Sequence, residues 1–336
     1  MAYYKLKLKL KLKLKLKLKL KLQTINKLRS KQLIKITGPI FAILTPFEAS
    51  GKIDFTALSE YLSFLQTKGV ETILTNGTTA EFPSLSLEER KALVEHCRKA
   101  FDGVILNNVS ACCLGDCFKL VNHSESYADA LVVLPPYYYA SVSEKGILAF
   151  LAEVLTQSRL PTYLYHFPKQ TQNPITPNMV EMLLNDHNNL VGIKDSEANL
   201  ETSLKFKALK DGTFQVFVGG DRLAFETLKS GLEGSVTGGG NAFPEFLISI
   251  SRAFHAGDLE TAETMQRALD VWNKFRKQNR LGEIALTKIA LRTRLANFPT
   301  FVRLPLAQSE PTVLTEIERF VNKEILAKLN YTTSSP

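Results

Sequence analysis

Residues 161–195 read PTYLYHFPKQTQNPITPNMVEMLLNDHNNLVGIKD, and this stretch contains one repeating unit of the fold. Its two ends, PTYLYHF (161–167) and LVGIKD (190–195), are short apolar runs of the kind that form buried strands. Between them, Thr176 followed by Pro177 marks a helix start, with threonine as the N-cap and proline in the first turn. The stretch therefore predicts a strand, a helix and a second strand. Strands joined by such a crossover run parallel.

The same alternation of predicted strands and helices extends in both directions along the chain. Eight strand–helix units in about 220 residues predict a (β/α)8 TIM barrel. A doubly wound α/β sheet is the alternative, because the number of strands alone does not prove that the sheet closes. The eight apolar runs are IFAILT (40–45), ETILTN (71–76), GVILNNV (103–109), ADALVVL (128–134), PTYLYHF (161–167), LVGIKD (190–195), FQVFVG (214–219) and EGSVTG (233–238).

The domain boundaries follow from the extent of this pattern. We expect a low-complexity basic tail over residues 1–35 and a barrel over residues 36–242. Residues 243–330 predict a C-terminal helical extension that packs on the barrel as part of the same domain. In one of the barrel helices, residues 86–101, Ser86 and Glu89 form the pattern of a capping box.

The positive charge of the chain belongs to its tail. Residues 1–35 hold thirteen Lys and Arg and no acid, including nine Lys-Leu pairs between Lys5 and Leu22, whereas the other 301 residues have 29 basic and 33 acidic side chains. The body is therefore mildly acidic and gives no case for nucleic-acid binding. We interpret the tail as a low-complexity extension outside the fold; adhesion to an anionic surface is the alternative. Half of the residues in its Lys-Leu run are charged, so it cannot span a membrane.

The four cysteines point to a reducing compartment. Cys97, Cys112, Cys113 and Cys117 occur in a chain without the pattern of a secretory signal, which favours reduced thiols and a cytoplasmic location. Their spacing lacks the paired CxxC of a metal site, so we expect no metal. Motifs for nucleotide cofactors, serine hydrolases and zinc proteases are absent from the sequence, and we expect no organic cofactor.

Polar residues at the ends of strands five and six are the first candidates for chemistry, because TIM barrels carry their sites at the carboxyl ends of the strands. Strand six ends in GIKDS (192–196), which places Lys194 in an apolar strand. A desolvated lysine is a neutral nucleophile for a carbonyl, although pairing of Lys194 with Asp195 or another acid at the barrel mouth is an equal alternative. Strand five ends in YLYHFP, where Tyr165 could serve as a general acid and base or simply fill the barrel interior. His166 is the one histidine predicted to lie near this site.

Three further stretches follow other strands. NGTTAEF (76–82) suits a carboxylate or a hydroxyl relay, but it is also ordinary turn sequence. PPYYYAS (135–141) predicts an aromatic cluster at the mouth or a dimer interface. GSVTGGGN (234–241) predicts a floor where substrate approaches the backbone.

Together these motifs resemble the dihydrodipicolinate synthase and N-acetylneuraminate lyase family of Schiff-base (class I) aldolases. The resemblance covers residues from about Gly38 to Pro305 and is carried by GTTAE (77–81), PPYYYAS (135–141), YLYHFP (163–168), GIKDS (192–196), GGD (219–221) and GSVTGGGN (234–241).

The resemblance implies a role for each matched position. Lys194 matches the lysine that forms a Schiff base with pyruvate, and Tyr165 matches the phenol that transfers protons. Thr78 and Thr79 match the residues that bind the pyruvyl carboxylate, with Thr78 also in a hydroxyl relay. Tyr138 matches a tyrosine that reaches across a tight dimer. The remaining matches are Gly219 and Val236, which would contact the nucleophile pocket through their backbone.

Departures from the family patterns bear on the substrate. Gln170 stands where lysine-pathway synthases usually carry an arginine, and Arg222 follows Asp221 where neuraminate lyases usually have Asp-Glu. PYYY, NGTT and GIKDS look most like 2-keto-3-deoxygluconate aldolases, although Ser141 replaces an arginine that often follows the tyrosines and Ala80 replaces a usual glycine.

The function this implies is a carbon–carbon lyase that cleaves or forms 2-oxo-3-deoxy acids from pyruvate and an aldehyde, in a homodimer or a dimer-of-dimers tetramer. A dihydrodipicolinate synthase or a related dehydratase is the alternative within enzymes. A catalytically silent barrel that binds 2-oxo acids is the alternative outside them.

Overall fold

Eight parallel strands close into a barrel in the order of the chain, with β8 hydrogen-bonded back to β1. Closure confirms the predicted (β/α)8 barrel and excludes the doubly wound sheet. Every strand lies within the apolar run that predicted it. The strands are β1 Ile40–Ala42, β2 Thr72–Thr75, β3 Val104–Asn108, β4 Ala130–Val133, β5 Thr162–His166, β6 Leu190–Asp195, β7 Gln215–Gly219 and β8 Gly234–Thr237.

A computed structural model of the chain describes residues 36–197, 199–279, 281–327 and 329. The Lys-Leu tail, and with it the prediction for residues 1–35, lies outside the described residues. None of the described helices combines the length and the apolar character that crossing a membrane requires.

Helices connect the strands and continue beyond the barrel. Two helix starts carry the predicted caps: the Ser86 hydroxyl accepts the Glu89 N–H at 3.2 Å while the Glu89 carboxylate accepts the Ser86 N–H at 2.9 Å, and the Thr176 hydroxyl accepts the Met179 N–H at 3.3 Å. The helices are α1 Phe55–Thr67, α2 Leu87–Ala100, α3 Leu114–Ser124, α4 Glu144–Gln157, α5 Pro168–Thr171, α6 Pro177–Asp186, α7 Leu200–Lys207, α8 Ala224–Lys229, α9 Pro244–His255, α10 Leu259–Gln278, α11 Glu283–Arg292 and α12 Pro311–Phe320.

The barrel strands separate two apolar clusters, one inside the barrel and one between the strands and the surrounding helices. Alternate side chains of β5 point to opposite faces, so Tyr163 and Tyr165 lie inside the barrel and Leu164 packs outward against the helices. Gly192 of β6 leaves room for this filling, because a Cβ there would lie 2.6 Å from the Tyr163 ring. The barrel interior is therefore packed around these rings, and a larger cavity opens towards the carboxyl ends of the strands.

The C-terminal helices form a wall beside this open end. Helices α9 and α10 pack against each other, and α11 packs against a short 3-10 turn, Gly239–Ala242, that follows β8. The buried Trp272 of α10 fixes this arrangement by donating its indole N–H to the Gly239 carbonyl at 3.0 Å. Residues far from the barrel strands in sequence are thereby brought to the carboxyl ends of β7 and β8.

Candidate active site

Lys194 and Tyr165 lie side by side inside the barrel, as partners in the register of β5 and β6. The Lys194 ammonium lies 3.8 Å from the centre of the Tyr165 ring. Lys194 is 6% exposed and Tyr165 is 2% exposed. Among the described residues Lys194 has no ion pair within 4.0 Å. Its alternative role, a barrel-mouth lysine paired with Asp195, is therefore wrong.

Asp195 points the other way, because it is the next residue on the strand. Its side chain lies outside the barrel, where it accepts the Ser203 hydroxyl at 2.6 Å and the Glu197 N–H at 3.0 Å. Burial raises the pKa of Asp195, against these hydrogen bonds, which lower it. The strand continues through Asp195, which is buried like Lys194.

His166 is likewise directed away from the candidate site. Its Nδ1 accepts the Ile175 N–H at 3.1 Å, so in the neutral ring Nε2 carries the proton and faces Glu197 at 3.4 Å. In the described part of the chain His166 does not line the cavity that holds Lys194. The expectation that it lies near the site holds for the backbone but is wrong for the side chain.

A cavity of about 610 Å³ opens above Lys194 at the carboxyl ends of the strands. Its wall includes all the residues that the resemblance assigned to pyruvate and its nucleophile: Thr78, Thr79, Tyr165, Lys194, Gly219 and Val236. A buried amine at the base of a concave pocket is the arrangement that covalent capture of a carbonyl compound needs.

The phenol of Tyr165 is held between a cation and hydroxyl groups. Its oxygen lies 3.3 Å from the Thr78 hydroxyl. Burial raises the pKa of Tyr165, but the positive charge of Lys194 and hydrogen bonds from groups that include Thr78 and Ser196 outweigh it, and the net result is a pKa below the usual value of 10.0. A tyrosine with a lowered pKa is a better proton acceptor near neutral pH than a phenol in water.

The turn after β2 presents Thr78 and Thr79 to the cavity. It closes through backbone hydrogen bonds from Ala80 and Phe82 to the Gly77 carbonyl, at 3.1 and 3.4 Å. The hydroxyl of Thr45, three residues after β1, supports the turn by donating to the Ala80 carbonyl at 2.8 Å. The two threonines are thus fixed by the backbone of the turn.

Glu81 ends this turn and anchors it. Its φ of 60° lies in the left-handed region, which is uncommon for a residue other than glycine. Its carboxylate accepts the Lys288 ammonium at 2.6 Å and the Arg303 N–H at 2.8 Å. Lys288 also donates to the Phe301 carbonyl at 2.6 Å. One fully buried ion pair therefore joins the Thr78–Thr79 turn to the segment around residues 301–303.

Small residues after β6, β7 and β8 shape the rest of the base. A Cβ on Gly219 would lie 2.1 Å from the Ser196 hydroxyl oxygen, and one on Gly238 would lie 2.7 Å from that of Thr79. Both positions need glycine because hydroxyl groups of the site approach them closely. The predicted floor of GSVTGGGN is found here, with Val236, Thr237 and Gly238 lining the cavity.

The far wall comes from the C-terminal helices. Arg276 of α10 lines the cavity and donates to Asp221 at 2.7 Å and to Glu283 at 2.5 Å. A Cβ on Gly239 would lie 1.4 Å from the guanidinium, so this glycine makes room for Arg276. Leu306 and Ala307 complete the wall. The depth of the cavity thus depends on residues that follow the barrel.

Tyr138 does not reach the cavity of its own chain. It is 78% exposed, packs edge-to-face against the exposed Tyr139 at 5.4 Å and is not among the residues that line the site. Only Tyr137 of the triplet turns inward, where its ring meets Phe82. The aromatic cluster predicted at the mouth is therefore a surface feature of this chain.

The four cysteines form no disulfide, and none of them belongs to the group of potential metal ligands found among the described residues. In the ranges that the structure describes, one group of potential ligands occurs: His166, Asp195 and Glu197, whose ligand atoms lie within 4.8 Å of one another. Both carboxylate oxygens of Asp195 and Nδ1 of His166 already accept hydrogen bonds. We interpret the group as a network behind β5 and β6.

Sequence reasoning missed three contributors. Ser196 belongs to the GIKDS motif, in which only Lys194 carries an expected role. Lys288 had a signal, since it lies three residues from both Ala285 and Leu291, which are buried on the same helix. Arg276, in the run KFRKQNR (274–280), looks like part of a solvated basic face, and no local pattern distinguishes it.

Comparison with known proteins agrees with this geometry. The probable 2-dehydro-3-deoxy-D-pentonate aldolase of Escherichia coli is 32% identical over 241 residues, which cover 70% of this chain and 80% of that protein. A 2-dehydro-3-deoxy-phosphogluconate/2-dehydro-3-deoxy-6-phosphogalactonate aldolase of Sulfurisphaera tokodaii is 28% identical over 84% of this chain and 96% of its own length.

A solved structure shows the same fold. The 2-keto-3-deoxygluconate aldolase of Sulfolobus, in complex with D-KDPG, superposes with a TM-score of 0.80 over 88% of this chain and 98% of that one, at 24% identity. The model of the dihydrodipicolinate synthetase family matches residues 35–324, which include the barrel and most of the C-terminal helices. The chain therefore belongs to the dihydrodipicolinate synthetase family.

Proposed function

We propose that this protein is a Schiff-base aldolase in which Lys194 captures pyruvate, or the pyruvyl half of a 2-oxo-3-deoxy acid. It is a carbon–carbon lyase, as the aldolases among its relatives are. The observation that carries the assignment is a buried lysine with no ion pair among the described residues, at the base of a cavity and beside a tyrosine of lowered pKa. As a phenolate, Tyr165 can accept a proton from the Lys194 ammonium, and this leaves the neutral amine that attacks a carbonyl.

Cleavage begins at the amine. Neutral Lys194 attacks the C2 carbonyl, and uptake of one proton, which Tyr165 can supply, with loss of water gives a protonated imine. The imine accepts the electron pair of the C3–C4 bond as that bond breaks, so nitrogen becomes neutral and C2 and C3 become an enamine. The C4 hydroxyl loses its proton and leaves as an aldehyde. Protonation of the enamine at C3 and hydrolysis of the imine release pyruvate and restore Lys194.

Tyr165 is assigned the proton from the C4 hydroxyl. It returns this proton in the reverse, condensing direction, because the same group must serve both directions. The contact with Thr78 gives the phenol a hydroxyl neighbour through which a proton can pass. Thr78 and Thr79 are assigned the pyruvyl carboxylate, and Gly219 and Val236 the backbone that faces the nucleophile.

The surface position of Tyr138 supports a role outside its own chain. An exposed tyrosine pair is typical of an interface, so we assign Tyr138 to the relay of a neighbouring subunit in a homodimer or a dimer-of-dimers tetramer. The four free cysteines fit a cytoplasmic location.

Trapping with borohydride tests the proposal. The protein is incubated with pyruvate and borohydride, its intact mass is measured, and the modified peptide is mapped. We expect a reduced pyruvyl adduct on Lys194. Lys288 is an internal control, because it forms a fully buried ion pair with Glu81 and does not line the cavity. Folded protein without an adduct would favour the silent barrel that only binds 2-oxo acids.

A further inference from the structure

The lining of the cavity has the opposite charge to the rest of the barrel domain. Residues 36–336 have 29 basic and 33 acidic side chains, so this part of the chain is negative. Besides Lys194, the cavity lining contains four Lys and Arg side chains and three Asp and Glu side chains. Charges of one sign that gather in a cleft raise the local concentration of ligands with the other sign.

The carboxylates of the cavity already have partners. Asp221 and Glu283 both accept hydrogen bonds from Arg276, and Glu197 faces His166 at 3.4 Å. Arg276 therefore balances much of the charge of Asp221 and Glu283. In the described ranges none of the three carboxylates forms an ion pair with another lysine or arginine of the lining.

Three cations of the lining have no such partner. Lys169 follows β5, Arg222 follows β7, and Lys277 lies in the last turn of α10. All three are exposed, and in the described ranges none forms an ion pair or a side-chain hydrogen bond. They come from three separate elements and meet at one cavity.

The pyruvyl carboxylate does not account for these charges. It is assigned to the hydroxyl groups of Thr78 and Thr79, beside Lys194 at the base. The unpaired cations stand on loops and on the helix around that base, where the other end of the substrate must lie.

We propose that Lys169, Arg222 and Lys277 bind a second anionic group, a phosphate ester or a carboxylate, at the end of the substrate remote from the 2-oxo group. This inference rests on the proposed function, since it assigns the aldehyde half of the same substrate. Arg222 and the lysines act differently: the guanidinium gives paired hydrogen bonds to such a group, whereas the ammonium groups act as point charges.

Condensation kinetics test this with three acceptors. Pyruvate is condensed with glyceraldehyde, with glyceraldehyde 3-phosphate and with succinic semialdehyde. We expect at least one charged acceptor to exceed glyceraldehyde in kcat/KM by roughly tenfold or more, since a hydrogen bond to a charged group is worth that much. The charged acceptor with the higher kcat/KM shows whether the site prefers a phosphate ester or a carboxylate. The advantage must shrink as salt is raised, because these cations are exposed.

Single variants locate the binding group. K169Q, R222Q and K277Q should each lower kcat/KM for the preferred charged acceptor, with R222Q the most severe, and leave kcat/KM for glyceraldehyde unchanged. K274Q is the matched control, because Lys274 is exposed on the same helix as Lys277 and does not line the cavity.

The results distinguish failure of the anion site from failure of the aldolase assignment. A borohydride adduct on Lys194 with equal kcat/KM for charged and neutral acceptors overturns the anion site and leaves the aldolase assignment standing. The anion site is also overturned if the three variants and K274Q behave alike. Absence of the adduct overturns both.

Discussion

Two buried lysines of this chain lie in opposite surroundings. Lys288 is 0% exposed, contacts the Glu81 carboxylate and the Phe301 carbonyl, each at 2.6 Å, and lies over the Phe47 ring. Lys194 is 6% exposed and has an aromatic ring and open space beside it, with no carboxylate within 4.0 Å among the described residues. Burial of a cation is tolerated when it is paired. We therefore infer that the unpaired Lys194 serves catalysis, whereas the paired Lys288 serves the stability of the fold.

Replacing Lys194 should have the largest effect on turnover. K194A removes the nucleophile, so we expect aldol cleavage to fall by roughly 10⁴-fold or more, and adduct formation to be lost. Because K194A removes a buried polar group that has no ion pair among the described residues, the free energy of unfolding should be unchanged or higher. Steady-state kinetics and denaturant unfolding measure the two effects. Full turnover in K194A would end the covalent mechanism.

Replacing Tyr165 tests the proton transfer separately. Y165F keeps the ring beside Lys194 but removes the hydroxyl, and we expect kcat to fall by roughly 10²–10⁴-fold. Borohydride should still trap pyruvate on Lys194, since the amine is intact. Single-turnover kinetics and trapping are measured on the same preparation. A kcat within a few fold of the unmodified protein would remove Tyr165 from the relay.

Replacing Lys288 should mainly affect stability. K288M leaves Glu81 buried without its cation, and breaking a buried ion pair in this way costs roughly 3–5 kcal/mol. Burial lowers the pKa of Lys288 to about 8, against Glu81, which raises it, so the site already disfavours an unpaired charge. We expect trapping on Lys194 to persist, with a higher KM for pyruvate, because Glu81 positions the Thr78–Thr79 turn.

Two variants control for instability alone. E81Q combined with K288M should regain part of the lost stability, because no charge is then left unpaired. D129N breaks the pair of Arg98 and Asp129, whose atoms lie 2.9 Å apart at the start of β4, the end of the barrel opposite the cavity. It should destabilise the protein and leave the KM for pyruvate unchanged. If D129N raises KM as K288M does, Lys288 has no specific positioning role.

The smallest expected effect concerns Glu89, the partner of Arg303, whose backbone N–H is bound by Glu81. Arg303 donates to both carboxylate oxygens of Glu89, at 2.6 and 2.8 Å, and lowers the pKa of Glu89 from 4.5 to about 2. A carboxyl with a lowered folded-state pKa adds stability above pH 4.5, and this is lost as pH falls towards 2. E89Q should cost about 1 kcal/mol at pH 7, after allowance for its partial exposure.

Denaturant unfolding between pH 7 and pH 3 measures this. The difference between E89Q and the unmodified protein should shrink as pH falls. A difference that is constant over this range would show that the contribution of Glu89 does not depend on its charge.

The sequence predicted the barrel and the base of its cavity because both depend on local patterns. Apolar runs locate the strands, and the alternation within β5 and β6 places Tyr165 and Lys194 on one face. The same alternation turns His166 and Asp195 outward, which the prediction for His166 overlooked. Arg276 and Lys288 could not be placed, because no local pattern states how α10 and α11 pack against a barrel that precedes them. Whether Tyr138 is exposed likewise depends on which other part of the protein packs over it, and no local pattern shows that.

The ion pair of Lys288 and Glu81 joins positions 207 residues apart, and it has a consequence for the order in which the protein is made. Every group assigned to the pyruvyl half lies between Thr78 and Val236, whereas part of the wall around it is formed by residues up to Ala307. A growing chain therefore contains the residues assigned to pyruvate before it can enclose them. The cavity is complete only when the segment that carries Lys288 docks.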